Sequence, residues 1–214
     1  MKLLKNMLIY LALLVKNTYF LIAFLISLSI IYLSINYFHP DFSKGYLIGK
    51  EAIFPFFKYF LFVHIITAPI VYISGLIQFI FTKEEGHRLI GKIYIISVLF
   101  LAAPSGFLMS FFSIGGFFGI LNFCVLSVLW FYVTYKSYKS ILLGDFKLHK
   151  EFIIRSFVLA NSAILLRLFS YFNNNYNLLE ITNSYIVIAW LSWLPWLVVY
   201  ELYLYRNARA SFKI

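Results

Sequence analysis

The sequence predicts an all-α integral membrane bundle of six transmembrane helices, preceded by a short interfacial helix at the N-terminus. Three observations carry this. Six apolar stretches fill most of the chain, each near the roughly twenty residues a helix needs to cross a bilayer. The composition is 63% hydrophobic and only 12% charged, outside the range of soluble domains. Lysine and arginine concentrate in alternate connections, the positive-inside pattern. Backbone in lipid must satisfy its own hydrogen bonds, which leaves helices or closed barrels. These runs are too long and too uniformly apolar for barrel strands.

Residues 1–17 place Lys2, Lys5 and Lys16 around an apolar Met7–Val15 run. No small-residue cleavage site follows, so the segment reads as a helix lying on the cytoplasmic face and not as a signal peptide. The spans follow at Thr18–Phe38, Phe57–Phe81, Gly91–Phe112, Gly116–Tyr135, Phe152–Phe172 and Ser184–Tyr205. They form one transmembrane domain over residues 18–205, and residues 206–214 are a basic cytoplasmic tail. Ser113-Ile114-Gly115-Gly116 turns the third span back into the fourth. Gly144-Asp145 signals a turn ahead of His149, and Asn173–Asn177 reads as a solvated external loop. His39–Phe56 is the longest external connection, with apolar pieces suited to the membrane surface.

Lys83, Arg88, Lys92, Lys136, Lys139, Lys147, Lys150, Arg206, Arg209 and Lys213 fall on one side, against Lys44, Lys50 and Lys58 on the other. This puts both termini in the cytoplasm. The net charge of +10 then faces anionic lipid headgroups, and nucleic acid drops out as a partner. Cys124 is the only cysteine, so no intramolecular disulfide and no cysteine metal cluster can form. The many Phe and Tyr are assigned to lipid contact and packing.

Residues three or four apart share a helix face. In the second span His64, Ala68, Gly75, Gln78 and Thr82 do so. In the third the face is His87, Gly91, Tyr94, Ala102, Ser105 and Met109; in the fifth it is His149, Ser156, Ala160, Ala163 and Arg167. Small residues let helices approach and polar ones bond across the contact, so these faces are expected to turn toward one another. At about 1.5 Å per residue, His64, Asn122 and Arg167 fall in one outer polar layer. No carboxylate lies at that depth, so a buried Arg167 calls for an anion or a freed carbonyl. The inner layer holds Gln78, His87, Lys92, His149 and Arg155. His87 and His149 are the candidate ligands of a haem b iron, the only metal this sequence suggests. Glu201 is expected to pair with Arg206 or with a neighbouring helix. Pro69, Pro104 and Pro195 each free a carbonyl inside a span.

The string His87-Arg88-Leu89-Ile90-Gly91-Lys92-Ile93-Tyr94, then Ala103-Pro104-Ser105-Gly106-Phe107, His149-Lys150-Glu151-Phe152-Ile153-Ile154-Arg155-Ser156, Leu166-Arg167 and Ala189-Trp190-Leu191-Ser192-Trp193 resembles the bacterial predicted membrane proteins of domain-of-unknown-function family 2306. The similarity runs from about His64 to Glu201. It implies the multi-span topology and a bacterial inner membrane, and it singles out His64, His87, His149, Arg155 and Arg167. It implies no reaction.

Three readings of function compete. The first is a b-type-cytochrome-like redox protein with haem between His87 and His149. The second is a transporter or binding protein for a small acidic or lipid-like ligand, with Arg167 as charge partner, His64 as a proton-linked group, and Asn122, Gln78 and Arg155 as further candidate ligand contacts; a carrier of this size would work as a homodimer. The third is a non-catalytic assembly factor that uses its small-residue faces to hold partner helices. Hydrolysis is disfavoured, because no serine–histidine–acid set or HExxH motif is placed for it.

Overall fold

A computed structural model describes residues 2–43, 45–80, 84–179 and 184–211. Among these residues the chain is helical, with no strand. Helix α1 covers Lys2–Ile35 and α2 covers Phe54–Ile80, joined by a strap with short 3-10 turns at Asn36–Phe38 and Gly45–Leu47. Next come α3 (Glu84–Ser97), a π-helical turn (Val98–Ala102) and α4 (Ala103–Ser110), which together make one span. They are followed by α5 (Gly116–Leu142), α6 (Phe146–Ala160), α7 (Ser162–Tyr176), α8 (Ser184–Leu191) and α9 (Leu194–Ser211).

Five segments of the described residues are long and apolar enough to cross a membrane: Phe54–Gln78, Gly86–Ser110, Gly116–Leu142, Phe146–Tyr176 and Ser184–Ala208. They coincide with the second to sixth expected spans. The N-terminal part differs from expectation. The boundary expected after residue 17 is absent, and α1 runs unbroken for 34 residues. Its sequence contains no Gly or Pro to end the helix early. Within it, Phe20–Ser29 is a shorter apolar segment.

Local chemistry explains the breaks. Gly115 takes φ +96 at the α4–α5 turn, where a Cβ would meet the Ile186 side chain at 2.6 Å. Asp145 caps α6 by accepting the Leu148 amide at 2.9 Å. Asn161 separates α6 from α7; its side-chain amide donates to the Phe157 carbonyl at 2.8 Å and competes with the helix ladder. The three span prolines act differently. Pro69 stays inside α2. Pro104 follows the π-helical turn. Pro195 begins α9 just after the break from α8.

Parts of the polar faces of the third and fifth spans meet, joined by the fourth. Tyr94 of α3 bonds Ser156 of α6 at 2.7 Å, Ser156 bonds Thr134 of α5 at 2.7 Å, and Thr134 donates to the Trp130 carbonyl at 2.7 Å. All four residues are buried. In an apolar medium a closed chain of hydroxyls satisfies groups that would otherwise be costly to bury. The reverse surface carries large exposed apolar groups such as Phe100, Phe117 and Val199, as a lipid-facing exterior should.

The strap is held by Lys50, only 9% exposed. Its ammonium donates to the Phe112 carbonyl at 2.5 Å and lies 3.4 Å from the centre of the Tyr46 ring. Burial lowers the Lys50 pKa from 10.5 to about 8 and raises that of the Tyr46 phenol. Between these two lysine values the unfolded chain binds a proton that the folded chain has released, so stability rises with pH there. Tyr46 acts in the opposite sense above its ordinary 10.0, where the unfolded chain loses a proton that the folded chain keeps. The expected result is a thermal midpoint that climbs from about pH 7.5 to about pH 9.5 and turns down beyond pH 10. Lys50→Met should remove the climb; a climb of equal size in that variant would assign it elsewhere.

Candidate functional site

Between the spans lies a cavity of about 850 Å³, the size of a small-molecule site. One end opens near Asn173, Asn174, Tyr46 and Ser184. His64 and Arg167 stand on its wall, and the far end is lined by Tyr72, Leu126, Trp130 and Leu159.

His64 is oriented by the π-helical turn. Its Nδ1 lies 3.1 Å from the Ala102 carbonyl and 3.3 Å from Ser105 Oγ. A carbonyl can only accept, so Nδ1 carries the proton and donates to Ala102. Nε2 is then the acceptor of the neutral ring, and it has no partner among the described residues. Gly106 makes room for the ring, since a Cβ there would lie 3.2 Å from His64 Cε1 and 3.2 Å from Ser127 Oγ. Single π turns inside α-helices are frequent at functional sites, and this one aims a carbonyl at the histidine.

Arg167 projects from α7. Its Nη1 donates to the Ala163 carbonyl one turn earlier at 2.9 Å. No carboxylate pairs with it among the described residues, and its side chain is exposed because it lines the cavity instead of packing against it. Tyr37 and Tyr185 lie within electrostatic reach of the guanidinium, and Arg167 acts in the same way on His64. The wall therefore combines a cation with open donors, an imidazole nitrogen and two phenols, a set suited to an acidic group.

The other residues singled out from the sequence lie elsewhere. Asn122 shares the depth but is fully buried. With its amide oxygen facing the α8–α9 break, it accepts from the Trp190 amide at 3.3 Å and from Trp193 Nε1 at 3.2 Å. Gln78 donates to the His87 carbonyl at 2.7 Å and ties α2 to α3. Arg155 makes a two-pronged ion pair with Glu201 of α9, at 2.5 and 2.9 Å. These three stabilise the bundle and are not on the cavity wall.

His87 is exposed near the start of α3, and His149 is half-buried with Nδ1 donating to the Ser137 carbonyl at 3.0 Å. Neither lines the cavity. Two turns further along the same two helices, Tyr94 and Ser156 are in direct hydrogen-bond contact. The described residues lend no support to haem between the two histidines. Among the described residues there is also no group of three or more His, Cys, Asp or Glu able to hold a metal ion.

Tyr37, Tyr46 and Tyr185 are wall residues that sequence reasoning assigned to packing. Their positions at the ends of helices, where tyrosine is common in any membrane protein, hid them. Asn161, which accepts from the Tyr72 hydroxyl at 2.9 Å, could have been found as a lone amide in the middle of a span.

Residues 61–204 match the family described as predicted membrane protein (DUF2306). No curated protein and no solved structure matches the chain.

Proposed function

The chain belongs to the DUF2306 family of predicted membrane proteins, and from that premise we propose that it is an intramembrane binding protein for a small acidic ligand, held in the cavity between its spans. The observation that carries the reading is Arg167, a guanidinium with no carboxylate partner among the described residues, on the wall of a cavity of about 850 Å³. An arginine inside a span is costly and rarely left without an acceptor. His64, with Nε2 available, is the second polar anchor. In this reading α1 supplies a sixth span, both termini lie on the basic cytoplasmic side of a bacterial inner membrane, and the cavity opens toward the outer face.

The test is equilibrium binding of radiolabelled butyrate, succinate, inorganic phosphate and dodecanoate to the protein in nanodiscs. At least one acid is expected to bind saturably. Arg167→Gln should weaken it by about 2–3 kcal/mol, the cost of removing one member of a desolvated charge pair, while Arg206→Gln at the opposite end leaves it unchanged. Equal affinity in Arg167→Gln, or no saturable binding of any of the four, would refute the reading.

A further inference from the structure

We propose that the ligand is a single-chain amphiphile, with its acidic head at Arg167 and His64 and its apolar tail along the deep end of the cavity; this rests on the acidic-ligand reading above. Polarity falls along the cavity from its head end to its deep end. Asn174 at the open end and Arg167 are seven residues apart on α7, about 10 Å. From Arg167 the wall continues inward to Leu159, a further eight residues across the α6–α7 junction, or about 12 Å. The charged group therefore sits part-way down, with a long apolar stretch beyond it.

That stretch is formed by Leu126, Leu159 and Ile164 with the rings of Tyr72 and Trp130. Several hydroxyls face the same space, but those with described bonds have already spent their protons on protein. Ser27 donates to the Ala23 carbonyl at 2.7 Å, Ser192 to the Ala189 carbonyl at 2.7 Å, and Tyr72 to Asn161 at 2.9 Å. The deep end thus offers mostly apolar contact area, with the Trp130 Nε1 as a buried donor without a partner there, while the head end carries the guanidinium donors of Arg167. A compact diacid would leave the apolar stretch unfilled and would bring a second charge with no second arginine on the wall. An alkyl chain gains from every methylene it buries there.

The head chemistry follows from His64. With Nδ1–H committed to Ala102, Nε2 accepts a hydrogen bond from the hydroxyl of an undissociated acid group whose other oxygen faces Arg167. A carboxylic acid and an alkyl phosphate monoester share this chemistry, and the test separates them.

The experiment measures binding to the intact protein in nanodiscs, corrected for partition into protein-free discs, for butyrate, dodecanoate, dodecyl phosphate and dodecanol. In parallel, tryptophan fluorescence is titrated with 11-bromoundecanoate, whose terminal bromine quenches on contact. Dodecanoate or dodecyl phosphate is expected to bind at least a hundredfold more tightly than butyrate and tenfold more tightly than dodecanol. Whichever acid is tighter identifies the head. Bromoundecanoate should quench saturably, and Trp130→Phe should remove most of that quenching; equal quenching in Trp130→Phe would overturn the placement of the tail. Butyrate binding as tightly as dodecanoate, with Arg167 still required, would overturn the amphiphile and leave the acidic-ligand reading standing. Dodecanol binding as tightly as the acids, unaffected by Arg167→Gln, would overturn both.

Discussion

Glu201→Gln is expected to destabilise the protein by about 1–2 kcal/mol, between an exposed ion pair and a charged hydrogen bond, because Arg155 is largely buried and Glu201 half-exposed. Arg155 is 14% exposed and Glu201 is 47% exposed; both lie within segments long and apolar enough to span a membrane. The guanidinium uses Nε and Nη2 on the two carboxylate oxygens, and the Phe152 and Tyr200 rings lie 4.7 and 5.7 Å away. Its third nitrogen, Nη1, is already buried without a partner. Removing the carboxylate leaves a cation whose remaining compensation is two aromatic faces. Arg155→Gln should also destabilise, and the double variant should recover much of the loss, because two glutamine amides can bond each other. A double-mutant cycle on thermal unfolding in nanodiscs measures this coupling. Strictly additive losses would show that the pair contributes no more than its separate packing.

The second large effect is expected at Gly75. A Cβ built there would lie 2.6 Å from Phe157 Cδ2 and 3.0 Å from Tyr94 Cε2. Both rings are pinned: Tyr94 by its hydroxyl on Ser156, Phe157 by stacking on Tyr72 with centroids 5.4 Å apart. This is where α2, α3 and α6 meet, so no single side chain can move aside. Gly75→Ala should cost about 1–3 kcal/mol by overpacking, and Gly75→Leu should prevent recovery of folded, monodisperse protein. Gly86 has nothing within 4 Å of its Cβ position, and Gly86→Leu should behave as the unsubstituted chain. Fluorescence-detected size-exclusion chromatography compares them. A normal profile for Gly75→Leu would mean that the three helices are not packed as described.

Some of this arrangement was legible in the residues, and the reason is periodicity. His64, Gly75, Tyr94, Ser156 and Arg167 repeat at helical spacing, so the faces that meet could be named before any fold was known. The same reasoning failed for Asn122 and Arg155 because depth along a helix does not give direction around it. Asn122 is level with Arg167 yet turns to Trp190 and Trp193, and Arg155 turns to Glu201 across α9. The π-helical turn at Val98–Ala102 also left no periodic trace. It slips one residue in the ladder ahead of Pro104 and so puts the Ala102 carbonyl against His64. Tyr37, Tyr46 and Tyr185 were passed over because forty-two Phe and Tyr residues (25 Phe and 17 Tyr) leave composition unable to separate wall from exterior. The length of α1 was misjudged at its basic residues, since Lys16 suits a membrane boundary but does not end a helix.

Arg167 has no carboxylate partner among the described residues and presents its positive charge to the cavity. Ser170 lines the same cavity one turn away, and Cys124 is the only native cysteine. In a Cys124→Ser background, Ser170→Cys can be modified with anionic and cationic methanethiosulfonates of similar size, and the two rates compared. The account predicts that the cysteine reacts, that the anionic reagent is faster by about tenfold, the effect of one nearby charge of roughly 1.4 kcal/mol, and that Arg167→Gln abolishes the preference. No reaction, or equal rates for the two reagents with Arg167 in place, would contradict it.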